Sequence, residues 1–216
     1  LQYNFTNEGG FGGSIRFLKN IMGLWILQEC KREWDREGNP HPYEELVEMA
    51  KNSEPFYSFI DVNSSDFIYP GNMVEKIKNY CQKTGQKIPD TIPRITRVIL
   101  ESLAMEYRYV IERMEEIIGY DIETLHIVGG GSKNTLLSQF TSSATKKIVI
   151  TGPSEATSIG NILIQGLAKR ELKDIHQIRE VIRNSTPVII YRPESGSMWD
   201  ENFEKYKILK EFAHGF

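Results

Sequence analysis

Cysteine is scarce in this sequence. There are two, Cys30 and Cys81, among 216 residues. Both lie in helical patterns without metal-ligand partners nearby, and they read as free, reduced, half-buried thiols of a cytosolic protein. Histidine is also rare, and H-E-x-x-H, C-x-x-C and G-x-S-x-G are all absent, which removes support for a metallohydrolase or a serine hydrolase. No apolar run approaches the roughly 20 residues that span a bilayer, so a membrane partner is not expected. There is no excess of positive charge: the formal net charge is -3 with Lys and Arg spread along the chain, which gives no footprint for nucleic acid. A signal-peptide pattern, an internal repeat and a low-complexity tract are missing too. The chain lacks an initiator Met and opens in mid-phrase with "LQYNFTNEGG", so it reads as a piece of a longer protein.

What is present is ordinary globular material, 40% hydrophobic and 25% charged, enough for one domain or one plus a subdomain. "QYNFT" reads as a strand entering the glycine-rich turn "NEGGFGGS". "SIRFLKNIMGLWILQECKREW" has apolar residues three and four apart, which predicts one long helix with Ser14 as its N-cap. Further helices are predicted after Pro42, over "MVEKIKNYCQKTGQ" with Gly85 closing it, and over "TIPRITRVILESLAMEYRYVIERMEEIIG" with Gly119 as C-cap. Between them "EPFYSFIDVNSSDFIYPGN" is a long aromatic-rich loop with room for one short strand. Strands at "LHIV", "KKIVITGP" and "PVIIYRP" alternate with helices in the second half. That alternation predicts an α/β fold with a parallel component and an additional helical layer from the first half.

Three glycine-bearing stretches are the candidates for chemistry. Gly129, Gly130 and Gly131, followed by Ser132, Lys133 and Asn134, sit where a strand ends and a helix opens. Free amides and the helix dipole favour an anion there, and missing Cβ atoms let a ligand approach the backbone. The stretch matches neither the Walker A loop nor the dinucleotide fingerprint, so a ligand loop and a plain turn both remain open. "NEGGFGGS" places four glycines in five positions, more than a turn needs. Arg16 just beyond it could reach a phosphate or be a solvated arginine. In "GPSEATSIGN", Pro153, Ser154 and Glu155 suit a helix start, and Gly160 reads as a close-packing glycine. His126 is expected to be a partly buried, satisfied imidazole, and no histidine has a catalytic partner at a telling spacing.

Together "NFTNEGGFGGSIRFLKNIMGLWILQE", "FIYPGNMVEKIKNYCQKTGQ", "LHIVGGGSKNTLLSQFTSSAT" and "ITGPSEATSIGNILIQG" resemble the carbohydrate kinases of the FGGY family, from about residue 3 to 170. The resemblance implies an actin-like ATPase fold with a ribonuclease-H-like core. All of residues 1–216 would be the C-terminal domain of a two-domain enzyme, begun after that domain's first strands. It implies transfer of the γ-phosphoryl group of ATP, carried with Mg²⁺, to a sugar hydroxyl, and "NEGG…KNIMGLW" points to O1 of L-rhamnulose as acceptor. The N-terminal domain would be a partner of this chain and would supply the general base, so no catalytic residue and no metal ligand is expected here. By position Gly130 resembles the glycine that packs on the nucleotide, with Gly129 and Gly131 beside it, and Asn134 the adenosine-side asparagine. Gly12 and Arg16 fall near the phosphates or ribose, although many members carry Gln in place of Arg16. Asn4 and Asn7 are weaker candidates for a contact with sugar or nucleotide.

Overall fold

The computed structural model describes residues 4–214. In chain order these form β1 (Thr6–Gly9), β2 (Ile15–Leu18), α1 (Trp25–Arg36), α2 (Tyr43–Lys51), α3 (Met73–Lys83), α4 (Ile92–Ile118) and β3 (Thr124–Ile127). Then follow α5 (Thr135–Thr145), β4 (Ile148–Thr151), α6 (Ala156–Ala168), α7 (Ile175–Ser185), β5 (Ile189–Tyr191) and α8 (Met198–His214). Two compact units result. One comprises the chain up to Asp121 together with the stretch from Gly196, and the other is Ile122–Ser195.

The first unit corrects the reading of residues 14–24. Ser14 caps no helix, and Ile15–Leu18 is a strand paired antiparallel with Thr6–Gly9 in the register Thr6↔Leu18 and Glu8↔Arg16. The Phe17 ring stacks on Phe5 at 4.7 Å, and the Met22 amide donates to Asn63 Oδ1 at 3.1 Å. Gly23 then takes a left-handed conformation with φ +60° just ahead of α1. Apolar spacing of three and four thus runs across a strand, a connection and a helix, because strand pairing outweighs local periodicity over residues 15–18. The expected opening strand is likewise displaced to Thr6–Gly9, and residues 2 and 3 lie outside the described residues. The loop from residue 54 to 72 contains a single 3-10 turn, Ser65–Phe67, and no strand.

The helices of this unit share one core, including Ile26, Leu27 and Cys30 of α1, Ile77 and Cys81 of α3, and Ile99 and Leu103 of α4. Both cysteines are fully buried rather than half-buried, and burial pushes both thiols up from their ordinary range. Helix ends are satisfied from a distance. The Glu33 carboxylate of α1 accepts from the amides of Met73 and Val74, the latter at 3.1 Å, where α3 begins. A helix start has unpaired N–H groups and a positive dipole end, so this places a charge where it is stabilised. The Arg97 guanidinium of α4 donates to the carbonyls of Ala50, Lys51 and Ser53 at 2.9–3.1 Å, which closes the end of α2.

Glu101 holds Arg97 in place at 2.7 Å and also accepts from the Phe56 amide at 2.8 Å. Burial raises the Glu101 pKa from 4.5 to about 7, opposed by Arg97. The folded state therefore keeps this proton longer than the unfolded chain does. Its contribution to stability is complete below pH 4.5 and is lost as pH rises towards about 7. Glu106 is raised in the same direction, so the informative quantity is a difference. Urea unfolding of the parent and of Glu101→Gln between pH 4 and 8 should give a flatter stability profile for the variant. Parallel profiles would show that Glu101 does not titrate there.

In the second unit β4 is central, parallel to β3 and antiparallel to β5. Leu136, Leu137, Phe140 and Ala144 of α5 are buried along with Val149 of β4. The Ser/Thr-rich end of α5 ties down the strands: Ser142 Oγ donates to the carbonyls of Lys147 at 2.7 Å and Tyr191 at 3.2 Å. Gly160 does not pack closely as expected, since a Cβ there would meet nothing within 4 Å, and α6 has no buried residue.

Candidate functional site

The glycine stretch of the second unit follows β3 and precedes α5, so it is the first part of the crossover between two parallel strands. Gly129 has φ +79° and ψ -168°, a combination open in practice to glycine alone. Its amide donates to the Pro153 carbonyl at 3.0 Å, and the Gly152 amide donates to Ile127 O at 2.8 Å. The turn after β3 is thereby fastened to the turn after β4. Gly130–Lys133 is a 3-10 turn whose first bond joins the Ser132 amide to Gly129 O at 3.0 Å. Ser132 Oγ donates to the same carbonyl at 2.7 Å.

The amides of Gly130 and Gly131 precede that first bond, as the leading amides of any helical turn do, and so are left for an outside acceptor. Neither residue has a positive φ, and a Cβ on either would meet nothing within 4 Å. Gly129 is thus required by backbone conformation, whereas the fold makes no demand for glycine at 130 and 131. Asn134 is the N-cap of α5: its Oδ1 accepts from the Leu137 amide at 2.9 Å. Its Nδ2 makes no hydrogen bond among the described residues, so its two N–H donors stay available beside the helix start. These residues fit an anionic or polar ligand laid over the backbone, with amides and a helix N-terminus to face it. The capping role was legible in the spacing Asn134, Leu136, Leu137 but was missed in the sequence reading.

The other candidates belong to the hairpin of the first unit. Arg16 is on β2 and not one turn into a helix, as expected from sequence. It pairs with Glu8 directly across the hairpin at 2.7 Å, with both side chains half exposed or more. "NEGGFGGS" therefore joins two strands rather than a strand and a helix. Gly12 and Gly13 have φ +66° and +77°, and a Cβ on Gly10 would lie 2.4 Å from Ser14 Oγ. Turn geometry thus accounts for three of the glycines, and Gly9 is in β1. Asn4, Asn7, Gly12 and Arg16 are all exposed, and Asn4 adopts φ +55°. His126 is exposed on β3, not partly buried as expected, because side chains on a strand alternate and this position faces outward.

Among the described residues no three or more His, Cys, Asp or Glu side chains gather where they could hold a metal ion. No described helix is long and apolar enough to cross a membrane.

Comparison with known proteins matches residues 1–169 to the FGGY family of carbohydrate kinases, C-terminal domain. A rhamnulokinase of Ligilactobacillus salivarius is 45% identical over 97% of this chain and 41% of its own length. Rhamnulokinases of Bacteroides thetaiotaomicron and Bacillus subtilis are 43% and 42% identical, over 94% and 90% of this chain. The chain spans about 40% of the length of the curated relatives it matches. Among solved structures, a Plasmodium falciparum glycerol kinase with ADP superposes with a TM-score of 0.62 at 16% identity, covering 92% of this chain and 38% of its own. A xylulose kinase of Rhodospirillum rubrum does so at 0.60 and 13%, covering 89% and 38%. At those identities the likeness concerns the fold, which is that of the actin-like ATPases.

Proposed function

Since the chain belongs to the FGGY family of carbohydrate kinases, we propose that residues 1–216 form the C-terminal, nucleotide-holding half of a kinase acting on L-rhamnulose. The observation that carries this reading is identity of 42–45% to rhamnulokinases along 90–97% of the chain. The reaction is transfer of the γ-phosphoryl group of ATP to O1 of the ketose in the cytoplasm. Gly129, Gly130, Gly131 and Asn134 would lie against the nucleotide. Gly130 and Gly131 would offer backbone amides and an absence of side chains, and Asn134 its free Nδ2. Gly12 and Arg16 are proposed to face the phosphates or ribose, and Asn4 and Asn7 the substrates. For Arg16 this requires exchanging Glu8 for a phosphate oxygen.

Phosphoryl transfer calls for positioning and for stabilising charge more than for covalent work by the protein. A half rich in turn amides and poor in catalytic side chains suits the holding role. Mg²⁺ would arrive on the phosphates of the nucleotide, and the general base would belong to the N-terminal half.

The test is a coupled assay with Mg-ATP on the full-length protein and on the 216-residue chain. The full-length protein should phosphorylate L-rhamnulose with a kcat/KM at least about tenfold above D-xylulose, L-fuculose or L-ribulose. The isolated chain should give no turnover. Equal rates on xylulose would overturn the sugar, and turnover by the isolated chain would overturn the placement of the base. Nucleotide binding without phosphorylation of any ketose would instead favour a non-catalytic actin-like module.

A further inference from the structure

The first unit contains a cavity of about 490 Å³ between the segment 56–59, the end of α3 and one face of α8. That volume lies within the roughly 300–1,000 Å³ of small-molecule sites. Its walls combine rings and aliphatic surface, with Phe56, Phe59 and Leu209 among them, and three lysines, Lys83, Lys87 and Lys205. No acidic residue lines it.

The polar wall is already satisfied internally. Gln86 exchanges two hydrogen bonds with the backbone of Phe59, each 2.8 Å, and its Nε2 also donates to Thr84 Oγ1. Asn202 donates to Met198 O at 2.8 Å and accepts from Lys205 at 3.0 Å. The cations are less committed. Lys83 has no hydrogen bond or ion pair among the described residues, whereas Lys87 pairs with Glu54 at 3.4 Å and lies over the Tyr57 ring, 5.0 Å from its centre.

Phe56 supplies a second, independent sign. It holds a left-handed backbone, φ +53°, which is costly for a bulky residue. Its amide is pinned by Glu101, and its ring meets Trp199 edge-on at 4.9 Å. Strain retained in a cavity wall by surrounding contacts is a mark of a ligand clamp.

We propose that this cavity binds a phosphate monoester with a ring-shaped body, the phosphate among the lysine ammonium groups and the ring against Phe56 and Phe59. A dianion meets several ammonium groups at once, which a single carboxylate does less well. No residue of the glycine turn lines the cavity, and the proposal does not rest on the kinase reading. Residues from α8 complete it, beyond the segment matched to the kinase family at residues 1–169.

Titration calorimetry on the full chain tests it with fructose 1-phosphate, adenosine monophosphate, inorganic phosphate and fructose, the nucleotide arm in a Gly130→Gln background. Saturable binding is expected for at least one of the two esters, which identifies a sugar phosphate or a nucleotide as the source. Inorganic phosphate and fructose alone should bind at least about tenfold more weakly. Lys83→Glu with Lys205→Glu should weaken the ester at least about tenfold while the melting temperature holds, since both side chains are exposed. Absence of saturable binding by either ester would overturn the proposal, as would equal affinity in the double variant or fructose binding as tightly as its ester.

Discussion

Lys210→Met should lower the stability of the fold by about 3–5 kcal/mol, a large part of the 5–15 kcal/mol typical of a domain. Lys210 Nζ lies 2.9 Å from Asp61 Oδ1 and 3.1 Å from Glu106 Oε2, and all three side chains are at most 5% exposed. Glu106 accepts from the Tyr206 hydroxyl at 2.8 Å and from Asn63 Nδ2 at 2.7 Å, while the Asn63 backbone amide donates to Asp61 at 3.0 Å. One ammonium thus serves two buried carboxylates. Removing it strips both buried carboxylates of the ammonium bonded to them, and the charge of Lys19 still acts on both.

The loss should depend on pH in a defined direction. Burial already pushes Glu106 above its ordinary value even with Lys210 beside it. Without that cation the folded state would retain the Glu106 proton further into the neutral range. Stability of the variant is then best below the unfolded value and falls as pH rises, so the deficit should be smaller at about pH 5 than at about pH 8. Glu106→Gln added to Lys210→Met should restore part of the loss, because a neutral amide needs no counter-charge and can still accept from Tyr206. Chemical unfolding of the parent, the single and the double variant measures all three. A Lys210→Met cost below about 1 kcal/mol, or no relief from Glu106→Gln, would mean the cluster is not an energetic unit.

That cluster also marks where sequence reading stops. α4 was legible from end to end, because its apolar stripe is local and Gly119 supplies the left-handed C-cap, φ +78°. The strand–turn–helix around Gly129 was legible for the same reason. Asp61 and Lys210 are 149 positions apart, and nothing local in either segment announces the partner. Glu33 at the start of α3 and Arg97 at the end of α2 are equally non-local, and in sequence each looks like a solvated helix charge. The error at residues 14–24 had another cause: Ile15, Leu18 and Ile21 satisfy a helical period while pairing with Thr6–Gly9 fixes a strand. Recognition of the family reached further than periodicity did, since it drew on "NEGG", "GGGSKN" and "SEATSIGN" in order, but it could not separate a glycine kept for conformation from one kept for a ligand.

Gly130→Gln makes that separation by experiment. The two adjacent glycines should respond in opposite ways. Gly129 occupies φ +79° and ψ -168°, so Gly129→Ala should cost about 1–3 kcal/mol of stability. Gly130 has no positive φ, and a Cβ there meets no atom within 4 Å. A side chain at 130 is therefore compatible with the fold and should leave the melting temperature unchanged or slightly raised, since glycine's freedom in the unfolded chain is reduced. The same side chain would fill the space over the amides of Gly130 and Gly131 in which the nucleotide is proposed to lie. Affinity for ADP in the full-length protein should fall on the order of 100-fold, a clash built against one ligand without loss of the scaffold. Gly130→Ala, which adds only a methyl group, should lie between the two. Calorimetric titration with ADP and thermal unfolding on the same samples read both quantities. If Gly130→Gln keeps the parental affinity while remaining folded, the turn is not the nucleotide wall, and its glycines at 130 and 131 need another explanation.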